Sequence, residues 1–313
     1  MNAILPGRLG SALFALALMW TAPLTARRRT RIRSSTFGQP PPGAEFETGM
    51  LRGALHAGGK SLGLTSVTHL PSGRRIDASN GLFSHYRIFT QGTRYGGGAW
   101  DWPATARLAS NGVVDVHWLP ASNRPFDLAA RYRLRAPDVV EVETTVLPST
   151  NLPSFESFLA SYFSDGFTNS AVYVETTRGD QIMACLEPVL AAHGIWQVFP
   201  RDEGAVKVLR DGRWRLPPNP VEWTVGPRLS RPLAVRREPT TGLSVVLLSD
   251  PAECFAVASP HQSEPHRSVY FSLFGRDLAA GRPVTATARL WITMNPTVDE
   301  IRQKEGEFRQ PPP

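Results

Sequence analysis

The stretch DLAARYRLRAPDVVEVETTV, Asp127 to Val146, decides the fold. Leu128, Ala130, Tyr132 and Leu134 recur at every second position, opposed by Ala129, Arg131 and Arg133. After Ala136-Pro137-Asp138 the pattern resumes, with Val140, Val142, Thr144 and Val146 opposed by Glu141, Glu143 and Thr145. Side chains of an extended chain alternate between faces, so period two with one apolar set predicts two half-buried antiparallel strands. Pro and Asp between them supply the turn.

Working outward, the same signature recurs. Val114, Val116 and Trp118 oppose Asp115 and His117, after a turn at Ser110-Asn111-Gly112. Further strands are predicted at Ala171–Thr177, Leu243–Ser249, Cys254–Ser259, Val269–Phe274 and Val284–Thr293, and VKVLRDGRWRL reads as a tight hairpin about Asp211-Gly212. Helix is confined to two candidates: DQIMACLEPVL, and TVDEIRQKEGEF, where Thr297 and Glu300 form a capping box. The fold class is therefore all-β, a large antiparallel β-sandwich with few short helices.

The 313 residues divide by composition. Residues 1–26 have the layout of a signal peptide or N-terminal anchor: Arg8, an apolar run Leu9–Trp20, and Ala26 at the cleavage position. Residues 27–43 read as a basic, Pro- and Gly-rich linker, 44–296 as one sandwich domain, and 297–313 as a short helix and tail. This organisation predicts a secreted, periplasmic or cell-envelope protein with no stable membrane span once the leader is removed. The formal charge of +7 comes from the leader and linker: six arginines precede residue 34, which leaves 28 basic against 27 acidic residues in the remainder. A nearly neutral main domain argues against nucleic acid as a partner. Cys185 and Cys254 either form one disulfide in an exported chain or are two small buried residues.

Three motifs bear on chemistry. RGALHAGGKS, Arg52–Ser61, imitates a phosphate loop, but Ala54 stands where the motif needs glycine and no parallel α/β pattern follows, so no nucleotide is implied. No cofactor and no metal site is predicted, because neither C-x-x-C nor H-E-x-x-H occurs. His261, Glu264 and His266 in SPHQSEPHRS form the densest titratable cluster, suited to acid/base work on a sugar hydroxyl or to a solvated loop. HYRIFTQGTRYGGGAWDWP, His85–Pro103, reads as a strand with Tyr86, Ile88 and Thr90 opposing His85, Arg87 and Phe89. Its glycines lead into Trp100-Asp101-Trp102. Aromatic faces beside a carboxylate and a guanidinium suit a pyranose, with Tyr95, Trp100 and Trp102 as walls and Asp101, Arg87 and Arg94 bonding hydroxyls; the alternative is that the tryptophans plug the end of the sandwich.

Taken in order, VVEVETTVLPSTNLPSFESFLASYF, CFAVASP and LAAGRPVTATARLWI resemble the successive strands of the galactose mutarotase-like β-supersandwich proteins, which include aldose epimerases. The resemblance spans roughly residues 50 to 295 and implies a sugar bound on a concave sheet. In that family a His-Pro-Tyr-Phe element supplies the general acid. Tyr162 and Phe163 match it, but Ala160 and Ser161 stand where His and Pro would be. By the resemblance Glu264 is the candidate base, and the acid would come from His85, His261 or His266, with Asp101 as another carboxylate partner. The expected function is carbohydrate binding or carbohydrate chemistry of isomerase, lyase or hydrolase type, and the alternative is a non-catalytic envelope module.

Overall fold

The computed structural model describes residues 31–34, 44–57, 60–109 and 112–310. The leader-like segment 1–26 lies outside the described residues, as do Gly58-Gly59 and Ser110-Asn111. Three sheets make up the fold. A five-stranded meander runs Arg31–Ser34, Ala44–Glu47, Leu51–His56, Gly63–His69 and Arg74–Arg75. Its first strand falls inside the stretch read as linker, and its backbone pairs with Ala44–Glu47.

A nine-stranded sheet holds, in spatial order, Gln181–Pro188, Asn169–Arg178, Leu229–Arg237, Leu243–Ser249, Val284–Met294, Val139–Pro148, Phe126–Ala136, Val114–Trp118 and Thr105–Leu108. A seven-stranded sheet holds Thr224–Val225, Gln197–Pro200, Cys254–Ala258, Ser268–Leu278, Leu152–Tyr162, Ser84–Thr90 and Thr93–Arg94. Every pairing is antiparallel except that of Gln197–Pro200 with Thr224–Val225. The architecture is thus an all-β sandwich.

The decisive stretch behaves as its alternation predicts. Val140, Val142 and Val146 are buried in the main core with Leu128 and Ala130, opposite Ile88, Phe155, Leu159 and Phe271 of the seven-stranded sheet. On the outer face the register sets Arg131 across from Glu143 and Arg133 across from Glu141. Glu141 also takes Arg289 and Arg135 at 2.7 Å each. Burial alone would raise its pKa, but these guanidiniums hold the carboxyl below the usual range.

Two segments depart from the sequence prediction. DQIMACLEPVL is a strand, Gln181–Pro188, because Gly179 takes a positive φ of 60° and Arg178 pairs with Gln181 across a two-residue turn. VKVLRDGRWRL is no hairpin. Asp202 caps the helix Glu203–Leu209 by accepting from the Ala205 N–H at 2.8 Å, and Ala205 and Leu209, one helical turn apart, are buried together. The C-terminal helix Val298–Arg309 starts on the predicted Thr297–Glu300 capping box and packs Ile301 and Phe308 on Trp291 of the nine-stranded sheet. Cys185 and Cys254 are both free thiols, the latter buried. Among the described residues no helix is long and apolar enough to cross a membrane.

Candidate functional site

The face of the seven-stranded sheet turned away from the main core carries its own aromatic cluster. On the strand Leu152–Tyr162 the residues Phe158, Ala160 and Tyr162 point there, while Leu159 points into the main core. Ala160 is fully buried in this cluster beside Tyr270 on the next strand.

A β-bulge shapes the adjoining strand. Ser157 pairs with Ile88 and Leu159 with His85, so Phe158 faces both Tyr86 and Arg87. Two residues against one flips the alternation locally. His85 and Ile88 consequently turn inward, and Tyr86 and Arg87 both turn outward, which corrects the simple alternation read for this strand. His85 is 1% exposed, its Nε2 lies 2.9 Å from Thr144 Oγ1, and its ring sits against Trp118. Burial pulls its pKa down to about 3. It is a neutral core histidine and takes no part in a surface site.

Tyr86 and Trp100 stack with centroids 4.1 Å apart. Lys60 Nζ lies 5.2 Å from the Trp100 ring centre, and Arg87 Cζ lies 5.0 Å from that of Tyr86. Gly98 is required here because a Cβ would come within 2.9 Å of both rings. Asp101 accepts from Trp100 Nε1 at 3.0 Å. Trp102 turns the other way, into the main core against Phe126, with the Arg124 guanidinium 4.2 Å from its ring centre. Tyr95 follows it, edge-on to Phe126 with its hydroxyl 3.1 Å from Thr90 Oγ1. The two tryptophans therefore do not form one clamp: Trp100 belongs to the outer cluster, and Trp102 and Tyr95 close the end of the sandwich. Arg94 is spent on carbonyls of Gly96, Gly97, Leu216 and Pro218. It holds two loops together instead of standing ready for a ligand.

At the other edge of Tyr162 lies the His261–His266 loop. Glu264 accepts from the His266 N–H at 2.9 Å and contacts His266 Nδ1 with its other oxygen. The His266 ring stands edge-on to Tyr162 at 6.0 Å. The carboxylate orients the ring through Nδ1, an arrangement able to exchange a proton at Nε2. His261 does not join this pair. It bonds Ser263 and lines a separate cavity of about 530 Å³ with Asn169, Leu186 and Val298. The trio read as one cluster divides into a dyad and a bystander.

Residues not singled out from the sequence complete the face. Phe158 stacks on Tyr270 at 4.6 Å and meets Trp214 at 4.6 Å, and Trp214 packs on Trp223. Burial pushes the Tyr270 phenol up to about 12 and raises Tyr162 as well, with Tyr270 adding to the effect on Tyr162. Both stay protonated hydroxyls at neutral pH. Trp214 and Trp223 arrive on the segment 202–223, which lies over the sheet face and is pinned by Arg213. That guanidinium, with no exposed side-chain surface, bonds Glu156 at 3.2 Å and Asp211 at 2.7 Å. Arg236 supports the dyad loop from below through the carbonyls of Pro260 and Ser268, both at 2.8 Å. Nothing local marks Phe158 and Tyr270 as part of this face or foretells the tryptophans that cover it.

The fold is that of the galactose mutarotase-like β-sandwiches. The chain is similar in shape to the galactose 1-epimerase of Lactobacillus acidophilus NCFM, with a TM-score of 0.50 at 10% identity over 86% of this chain and 99% of that one. It is also similar to the GalM/aldose epimerase homologue of C. elegans, at 0.45 and 10% over 78% and 96%, and to the alpha-N-acetylgalactosaminidase NagBb of Bifidobacterium bifidum, at 0.46 and 9% over 87% and 36%. At such identity the likeness to the galactose 1-epimerase shows the fold alone. No protein-family profile and no curated protein matches the sequence.

Proposed function

We propose that this protein binds a saccharide on the outer aromatic face of its seven-stranded sheet and carries out carbohydrate chemistry there with the Glu264–His266 dyad. The observation that carries the reading is the contact of His266 with Tyr162: it joins an acid/base pair to a wall of aromatic rings and phenolic hydroxyls, the composition a sugar site needs. The fold, shared with a galactose 1-epimerase, is consistent with this. The dyad also supplies what Ala160 lacks. His266 exchanges the proton, Glu264 fixes its tautomer, and Tyr162 and Tyr86 border the bound ring. Export, resting on the leader-like residues 1–26, belongs to the same proposal, as does a single saccharide-binding domain over 44–296.

A second reading, a binding module without chemistry, is favoured by one observation. Trp214 and Trp223 cover much of the face, and Trp100 is only 7% exposed. Saccharide binding by the full chain, followed by reducing-end and anomer-exchange assays on every ligand that binds, tests both. Turnover lost in His266→Gln well beyond its loss of affinity supports the first reading, binding without turnover in the wild type supports the second, and no binding to any saccharide rejects both.

A further inference from the structure

We infer that the saccharide taken by this face is anionic and that its charge is received by Arg87. The inference rests on the reading of the face as a sugar site and names the class of sugar.

Arg87 is 4% exposed. Its Nη2 donates to the Asn219 carbonyl at 2.7 Å and grazes the Tyr86 hydroxyl at 3.4 Å, while Nε and Nη1 have no acceptor. No carboxylate pairs with it among the described residues. The contrast with Arg213 of the covering segment is direct: also buried, it has Glu156 and Asp211. A guanidinium withdrawn from water without a counter-charge is costly, and an anion is the group that cancels the cost.

The carboxylates read from the sequence as site residues are already engaged. Asp101 is taken by Trp100 Nε1 and Glu264 by His266. Lys60, over the Trp100 ring, adds a second cation at the rim. A neutral sugar would offer hydroxyl acceptors to Nε and Nη1 but would leave the charge with only the Tyr86 and Trp214 rings beside it and no counter-ion. An acidic sugar meets both needs.

The Asn219 carbonyl marks where the acidic group goes. It stands at the tip of the covering segment, on a residue with a positive φ of 57°, and the tip is otherwise tied down by Arg94 through backbone carbonyls. A carboxylate or sulfate replacing that carbonyl forms charge-assisted hydrogen bonds in place of a neutral one, and lifting the tip opens the face.

The test is calorimetric titration of the full chain with size-matched oligosaccharides, one neutral, one carrying uronic acids and one sulfated, at low and at high salt. The acidic ligands should bind at least about tenfold more tightly than the neutral one at low salt, with the advantage shrinking as salt rises. The two acidic arms tell which anion fits. Arg87→Gln should erase the preference, and Arg87→Lys should keep part of it. Because Arg87→Gln also removes the bond that ties the covering segment at the Asn219 carbonyl, ligand-induced thermal stabilisation of the wild type gives an independent reading: acidic oligomers should raise the melting temperature more than neutral ones. Equal affinity for neutral and acidic ligands, or an undiminished preference in folded Arg87→Gln, overturns the inference while leaving the sugar site standing. No binding to any of the three overturns the sugar site itself.

Discussion

Tyr86 and Arg87 are consecutive in sequence, yet both side chains lie on the same face of the seven-stranded sheet, because Phe158 on the adjoining strand faces the two together. That one bulge sends His85 into the core, sets Arg87 against Trp214, and lets Tyr86 stack on Trp100.

The separation of Trp100 from Trp102 predicts unequal mutants. Trp102→Ala opens the end of the main core and should cost about 3–5 kcal/mol, whereas Trp100→Ala should cost less and spare the main core. Urea unfolding of both checks it; a larger loss for Trp100→Ala would show that Trp102 is no plug.

The covering segment should depend on Arg213 more than on Glu156. Glu156→Gln leaves Arg213 its bond to Asp211 and should cost about 1–3 kcal/mol. Arg213→Met strands a fully buried carboxyl and should cost about 3–5 kcal/mol at neutral pH. Burial raises the Glu156 pKa even with Arg213 present. A carboxyl raised in the folded state favours folding below its unfolded value and loses that contribution as pH rises, so the Arg213→Met deficit should grow from acid to neutral pH. A deficit independent of pH would contradict this account.

His85 makes an opposite prediction. Its folded pKa is near 3 against an ordinary value of 6.5, so the folded state binds fewer protons in between. Stability is present in full above 6.5 and declines as pH falls, by up to about 1.4 kcal/mol per pH unit from this residue. His69, lowered by burial, acts in the same direction. His85→Gln should flatten the decline without abolishing it, as read from melting temperature against pH; an unchanged slope would place His85 in contact with water.

The thiols offer a simple count. Cys254 is buried, with its thiol pushed up to about 12, whereas Cys185 lies part-exposed on the edge strand Gln181–Pro188. A thiol reagent at mildly alkaline pH should modify one cysteine in the native protein and two after unfolding. No reactive thiol in either state would indicate the disulfide.

Local alternation carried the fold: Leu128 to Leu134 and Val140 to Val146 state their faces outright, and Thr297 with Glu300 states a helix start. It failed where the partner, not the residue, decides. The bulge at Tyr86–Arg87 depends on Phe158, and Val206 and Val208 read as period two although Ala205 and Leu209 are the pair that packs. Of the site, the Glu264–His266 pair was legible because it is local. Its neighbours Tyr162 and Tyr270, and the tryptophans over them, come together only through sheet order, which no short window of sequence contains.

The proposed function requires that a saccharide bind beside Tyr162 and His266. Its most direct test is calorimetric binding of one saccharide ligand to the wild type and to a Tyr162→Phe, His266→Gln double variant with an unchanged melting temperature. A loss of affinity of about tenfold or more is predicted, in keeping with two hydrogen-bonding groups removed from the site. Equal affinity in the folded variant would contradict it.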